Sequence, residues 1–118
     1  VMEGISYNLA LNLAVLRQRH QFREIRVMGG CAKEVVWRQI LADMFGLPVQ
    51  KLSHLDEACS MGAAVVAGIG AGVFTDSGAV AKFVQTDGLS VPQPDAAEFY
   101  ENQLGRFAES YRRLQGLF

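Results

Sequence analysis

The segment from Ile25 to Val49, IRVMGGCAKEVVWRQILADMFGLPV, sets the pattern of the chain. Residues 25–28 are mostly apolar, in the manner of a short strand, and a glycine pair, Gly29 and Gly30, follows them. Over residues 35–45 the apolar side chains recur at helical spacing. The segment therefore predicts a strand, a glycine turn and an amphipathic helix.

Two residues predict how that helix ends and a second strand begins. Gly46 is a helix stop, and Pro48 disfavours helical backbone before it, so residues 49–52 are expected to be extended. Two strands joined by one helix should be parallel neighbours with a right-handed crossover. Because two strands cannot cover several core helices, we expect the sheet to need further strands.

The glycine pair is a candidate ligand site. Glycine lets backbone approach a ligand closely, and a helix N-terminus offers free N–H groups with a partial positive charge, which suits a nucleotide. A plain turn without a ligand is the alternative. The phosphate-loop motif needs a glycine where Ala32 stands, and the dinucleotide motif fails at Cys31 and Glu34.

Composition narrows the class of protein. The chain has 118 residues, of which 50% are hydrophobic and 19% charged, with a net charge of −1. It is therefore expected to be one soluble globular domain without a basic surface for nucleic acid or an anionic membrane. Its two cysteines lack metal-site spacing and favour a reducing compartment. The opening residues suggest a chain cut from a longer protein.

Two further helices are predicted on either side of the central segment. Residues 4–20 form a helix that is apolar nearly all round and should be covered on most sides. No charge occurs from 58 to 75, where Ala and Gly dominate. We interpret residues 57–69 as a buried helix of small residues, since this composition disfavours a membrane span.

The remaining segments are read from turn and capping signals. Residues 53–56 are a polar connection, 76–84 a short helix, 86–88 a turn and 95–98 a capping box. The last predicted helix carries an apolar stripe that should dock on the core, made of Tyr100, Leu104, Phe107, Tyr111 and Leu114.

Taken together, these blocks resemble the FGGY carbohydrate kinases, in particular their xylulose kinase-like branch. The resemblance spans nearly the whole chain, and an ordered set of blocks is more specific than one glycine pair. The matching blocks are Gly29-Gly30-Cys31-Ala32-Lys33, Trp37-Arg38-Gln39, Ala42-Asp43, Gly46, Pro48-Val49, Glu57-Ala58, Gly62-Ala63-Ala64 and Gly70-Ala71-Gly72-Val73-Phe74.

The resemblance implies an α/β fold, the second half of an actin-like ATPase domain with a ribonuclease H-like core. Residues 1–75 would form part of the core of the kinase C-terminal lobe, in the order helix, strand, helix, strand, helix with two parallel strands. Residues 76–118 would be appended helices. The missing strands would come from the preceding part of the lobe.

The resemblance also implies an adenosine site. Gly29 and Gly30 would lie against adenine and ribose, beside Cys31, where relatives have a small residue. Glu34 departs from the usual Ser or Asn, so it either accepts a hydrogen bond from the adenine amino group or crowds the base. Gly62 resembles a second close-approach glycine behind the nucleotide.

No catalytic or metal-binding residue matches in this chain. The family's catalytic Asp and phosphate-binding loops precede its first residue, so the chain alone is expected to be inactive. Trp37 and Asp43 match the motif but are interpreted as core packing and structural hydrogen bonding.

The implied activity is that of a cytoplasmic kinase that uses ATP and Mg²⁺, in the full-length enzyme, on a ketosugar such as xylulose. The sugar would be bound mainly by the other lobe. A homo-oligomer is also expected, because the open strand edges and apolar helices need cover. The alternatives are a non-catalytic structural or assembly module and a dinucleotide-binding oxidoreductase fragment.

Overall fold

Helices and strands alternate along most of the chain. The computed structural model describes residues 1–53 and 57–117, apart from the side chains of Cys31 and Ala58. The predicted connection at His54, Leu55 and Asp56 lies outside the described residues. The elements in chain order are α1 (Met2–Arg17), β1 (Ile25–Val27), a 3-10 turn (Gly30–Lys33), α2 (Val35–Phe45), β2 (Val49–Leu52), α3 (Ala58–Gly70), a 3-10 segment (Ser77–Lys82), β3 (Thr86–Ser90), α4 (Pro94–Leu114) and a closing 3-10 turn (Gln115–Leu117).

The central segment folds as predicted, and it forms the core. Helix α2 and strand β2 have the expected bounds, and Gly46 ends the helix in the left-handed conformation, with φ of 59°. Strands β1 and β2 are parallel, with Ile25 opposite Val49. A cluster of buried apolar side chains joins α1, α2 and β2, namely Ala10, Leu13, Leu41, Ala42, Phe45 and Val49.

The sheet has a third strand, so the prediction of two strands was wrong. Strand β3 pairs antiparallel with β2, in the order β1-β2-β3, and gives a mixed sheet. Residues 86–88 were predicted to be a turn because Asp and Gly favour turns. Pairing with β2 overrides that local preference, and Lys51 Nζ makes an ion pair with Asp87 at 2.9 Å across the two strands.

Helix α1 begins and ends earlier than the predicted 4–20 and is covered on one side within the described chain. Ser6, Ala10 and Leu13 are buried, whereas Leu9 and Leu16 on other faces are exposed. The cover expected on most sides is therefore not supplied by the described residues. An apolar groove of about 390 Å³ between α1 and β1 remains open.

Trp37 has the structural role that was predicted for it. It is half-buried and packs against the core cluster, and its Nε1 donates a hydrogen bond of 3.0 Å to Ser6 Oγ. Ser6 in turn donates to the Met2 carbonyl oxygen at 2.9 Å. Helix α1 is thereby fixed to α2 by a partly buried hydrogen bond as well as by the apolar cluster.

Helix α3 is mostly exposed, so the prediction of a buried helix was wrong for the described chain. Val65 is buried, but Val66 is 70% exposed. Most of the small residues around Val66 are also exposed. The ring of Phe74 folds back onto the helix end, where a Cβ added at Gly68 would lie 2.5 Å from Cδ2 of Phe74. No helix of the described residues is long and apolar enough to cross a membrane.

The elements after α3 begin at different residues from those predicted. The short helix at 76–84 is the 3-10 segment, and Asp76 caps it by accepting from the Gly78 N–H at 2.7 Å. Helix α4 begins at Pro94, with Gln93 as its N-cap and no capping hydrogen bond from a side chain. The predicted capping box at 95–98 was wrong, because Pro94 already has a helical φ and needs no N–H partner at the first position.

Helix α4 docks on α1 and α2. Asp43 accepts from the Gln93 N–H at 2.7 Å and from Gln39 Nε2 at 2.8 Å, which confirms its structural role. Tyr7 of α1 stacks on Phe107 of α4, with 5.1 Å between ring centroids. The division of the chain at residue 75 stays a prediction, as does the homo-oligomer.

The contact between α1 and α4 includes a hydrogen bond between two titratable side chains. The Tyr100 hydroxyl donates to Glu3 Oε1 at 2.8 Å, and the Tyr7 ring lies 6.0 Å from the Tyr100 ring. Burial, followed by the hydrogen bond to Glu3, raises the pKa of Tyr100 to about 12. Burial and the Glu3 carboxylate also raise the pKa of Tyr7.

We predict that Tyr100→Phe destabilises the chain by about 1 kcal/mol near neutral pH, through loss of this hydrogen bond. Since the folded pKa of Tyr100 lies above its unfolded value, its contribution is complete below pH ~10 and is lost as pH rises towards ~12. Urea unfolding of both proteins from pH 8 to 11.5 measures this. Parallel stability curves over that range would contradict it.

A matched control for this change lies on the same helix. Tyr111 is 68% exposed, so Tyr111→Phe should change the free energy of unfolding near neutral pH by less than about 0.5 kcal/mol.

Candidate functional site

The candidate site lies at the carboxyl edge of the parallel strand pair. Val27, the last residue of β1, is opposite Lys51 near the end of β2, so both strands finish at the same edge of the sheet. The glycine pair follows β1 at this edge, and α2 begins just beyond it. Ligands of open α/β sheets bind outside the carboxyl ends of the strands.

Gly29 turns the chain out of the sheet. It has a φ of 83°, in the region that favours glycine, and the Ala32 N–H donates to its carbonyl oxygen at 3.1 Å. Among the described residues other than its chain neighbours, no atom lies within 4 Å of a Cβ added at Gly29 or at Gly30. The lack of a Cβ at both positions leaves the main chain itself open to close approach.

Ala32 fixes the other end of the turn. Its side chain is only 1% exposed, whereas Gly30 on the same 3-10 turn is exposed. The turn thus has one buried anchor and one open face.

Glu34 is the N-cap residue of α2 and has an extended backbone, with φ of −83° and ψ of 113°. Its carbonyl oxygen accepts from the Arg38 N–H at 3.1 Å, but its exposed side chain makes no capping hydrogen bond. The first N–H groups of α2, which lie beside the glycine turn, are therefore not satisfied by the Glu34 carboxylate.

The other two predicted residues lie in different elements. Cys31 lies within the 3-10 turn, between Gly30 and Ala32. Gly62 is exposed in the second turn of α3, a helix that packs mainly against the 3-10 segment at 77–82. The grouping of Gly62 with the glycine pair stays a prediction.

Arg38 is the residue of this site that sequence reasoning left without a role. It is 8% exposed, and its Nη1 donates a hydrogen bond to the Ala32 carbonyl oxygen. The signal lay in the helical stripe of residues 38, 41, 42 and 45, in which an arginine occupies one of four core-facing positions.

The groups at this site that can bind a ligand belong mainly to the backbone. The turn supplies peptide groups, and α2 supplies its N-terminal N–H groups. Within residues 1–53 and 57–117, no three His, Cys, Asp or Glu side chains come together as a metal site would require. The described residues suit the binding and orientation of a ligand.

Comparisons with known proteins identify the family of the chain. Residues 1–71 match the FGGY family of carbohydrate kinases, C-terminal domain. A xylulose kinase of Staphylococcus epidermidis is 33% identical in an alignment of 119 positions that covers 99% of this chain and 24% of that protein. An autoinducer-2 kinase of Enterobacter sp. is 35% identical over 97 residues, which cover 81% of this chain and 18% of that protein.

A solved structure shares the fold. The crystal structure of ligand-bound xylulose kinase from Lactobacillus acidophilus matches with a TM-score of 0.86 and 25% identity, covering 98% of this chain and 24% of that one. The chain thus spans about a quarter of the length of the xylulose kinases it matches. With its first 71 residues matched to the C-terminal domain, the chain belongs to the FGGY family of carbohydrate kinases.

Proposed function

We propose that this chain is the adenosine-binding part of an ATP-dependent carbohydrate kinase that phosphorylates a ketosugar such as xylulose. Family membership supports the reaction class. The observation that carries the assignment to adenosine is the turn at Gly29, which lies beside the N-terminus of α2 and has a left-handed backbone. Among the described residues other than its chain neighbours, none would contact a Cβ added there. The ketosugar is proposed because similar proteins are named xylulose kinases.

In this proposal, the chain binds and orients the nucleotide. The peptide groups of Gly29, Gly30 and Cys31 lie against adenine and ribose, with Glu34 beside the base and Gly62 behind the nucleotide. The open faces of Gly29 and Gly30 fit this use, since a flat ring can reach their main chain. ATP supplies the phosphoryl group.

The catalytic base, the phosphate-binding loops and Mg²⁺ are assigned to the remainder of the protein. Phosphoryl transfer depends on positioning and charge stabilisation, so a chain with the adenosine side alone has no route to turnover. Mg²⁺ is usually held by one or two carboxylates and the substrate phosphates. This fits a site that the other lobe completes.

The rest of the protein is also proposed to complete an actin-like, ribonuclease H-like core. Strand β1 lies at an edge of the three-stranded order, and the apolar groove between α1 and β1 is lined by Leu9, Leu16 and Val27. A strand added at this edge would pair with β1 and cover those side chains. We further propose a cytoplasmic location. The two cysteines lack the spacing of a metal site, and free thiols are typical of a reducing compartment.

The proposal is tested with the full-length protein that contains this chain. We expect MgATP-dependent phosphorylation of D-xylulose, measured by coupled release of ADP, and no turnover by residues 1–118 alone. Turnover by the 118-residue chain would contradict the division of labour. Full-length protein that binds no nucleotide would favour a structural module, and binding of NAD(P)H in place of ATP would favour an oxidoreductase.

Gly29→Ala separates backbone strain from ligand contact. Alanine with a positive φ costs of order 1–3 kcal/mol, so we expect lower stability together with a nucleotide Kd raised roughly tenfold. Gly46→Ala is the matched control, since Gly46 is also left-handed with open space around it but lies at the far end of α2. It should lose similar stability and keep its nucleotide Kd. Equal losses of affinity in both variants would contradict a nucleotide contact at Gly29.

Glu34→Ser tests the residue that departs from the family pattern. Serine is a good N-cap, so α2 should gain about 0.5–1 kcal/mol of stability, measured by urea unfolding. In the full-length protein the variant should change the Kd for ATP and leave the Kd for sugar nearly unchanged. An equal change in both constants, or none in either, would count against a position beside adenine.

A further inference from the structure

We infer that Arg38 is a positioning residue for the nucleotide, holding the glycine turn in its binding conformation from beneath. The inference rests on the proposed nucleotide function and adds a residue to it. Arg38 itself need not touch the ligand, because it acts through the backbone at Ala32.

A short path of hydrogen bonds connects the guanidinium group to the turn. Arg38 Nη1 donates to the Ala32 carbonyl oxygen, and the Ala32 N–H donates to the Gly29 carbonyl oxygen at 3.1 Å. Ala32 is therefore held on both of its peptide groups and is almost fully buried. Along this path, Ala32 is the one residue between the Arg38 guanidinium group and Gly29, which has the positive φ.

Arg38 also approaches the other edge strand of the sheet, β3. Its Nη2 lies 3.8 Å from the position that a Cβ would take at Gly88 in strand β3. The guanidinium group thus lies between the turn after β1 and the last strand. A planar side chain with donors pointing in several directions suits such a junction.

Stability alone does not account for a charge at this place. Arg38 is 8% exposed, and its Nε has no hydrogen-bond partner among the residues that the structure describes. Burying a charged group with an unsatisfied donor is costly, and an apolar side chain of similar size is often as stable or more so. A positioning role explains why an arginine, and not a methionine or leucine, fills the stripe of α2 beside Ala42.

The consequence for binding is selective. Without Arg38 the Ala32 carbonyl oxygen loses its buried donor and the turn loses its anchor, so part of the nucleotide binding energy is spent on ordering the backbone. A sugar bound mainly by the other lobe does not depend on this turn. A purely structural arginine would instead weaken both ligands alike or lower stability only.

The experiment uses the full-length protein with three variants: Arg38→Met, Arg38→Lys and the control Asp43→Asn. Asp43 is also buried on α2, but its hydrogen bonds go to Gln39 and Gln93. Calorimetric titration with MgADP and, separately, with D-xylulose gives the two dissociation constants, and thermal unfolding gives stability.

We expect Arg38→Met to raise the Kd for MgADP about tenfold while the Kd for D-xylulose changes less than about twofold. Arg38→Lys retains a charged donor and should show a smaller loss of about threefold. Asp43→Asn should lower the unfolding temperature and leave the ratio of the two constants unchanged.

Each other outcome has a defined meaning. Unmodified protein that binds no MgADP overturns both this inference and the proposed function. Unmodified protein that binds MgADP, with Arg38 variants that lose neither ligand or lose both equally, overturns the inference alone. If Arg38→Met does not fold, Arg38→Lys decides by the same ratio. If neither folds, Arg38 serves the whole fold and the inference is overturned.

Discussion

The packing of α2 against the parallel strands is the contact on which the rest of the structure depends. Ala42 and Val49 are completely buried where the helix meets β2, and α1 adds Ala10 and Leu13 to the same cluster. Small side chains at this point let the helix backbone come close to the sheet. The direction of α2 then fixes where its N-terminus lies, and with it the position of the glycine turn at the carboxyl edge of the strands.

Local sequence signals were sufficient to predict the helix and strand bounds of the central segment, but they did not predict strand β3. Gly46 and Pro48 mark their boundaries by their own backbone preferences, so α2 and β2 could be bounded from sequence. Strand β3 could not, because Asp87 and Gly88 favour a turn and only pairing with distant β2 makes them extended. Helix α4 starts one residue before the predicted capping box for a different, local reason, since the fixed φ of Pro94 outweighed the capping pattern.

Burial was the other property that sequence pattern assigned poorly. An uncharged helix was expected to be inside, yet α3 is exposed in the described chain, whereas charged Arg38 and Asp43 are buried on α2. Both polar groups satisfy backbone groups on other segments, Ala32 in one case and Gln93 in the other. A hydrophobicity pattern describes how favourably each side chain leaves water. It carries no information about which distant backbone group needs a hydrogen-bond partner.

The ring of Phe74 takes the place that a side chain at position 68 would need. The N–H groups of Val73 and Phe74 both donate to the Gly68 carbonyl oxygen, at 2.8 and 3.1 Å, so the ring is held over the glycine by the backbone that carries it. The dependence has one direction: a larger residue at 68 requires the ring at 74 to move or to be replaced by a smaller side chain. Over evolutionary time, a side chain at position 68 is therefore expected only together with a smaller residue at position 74, and an insertion between the two positions would remove the ring from the end of α3.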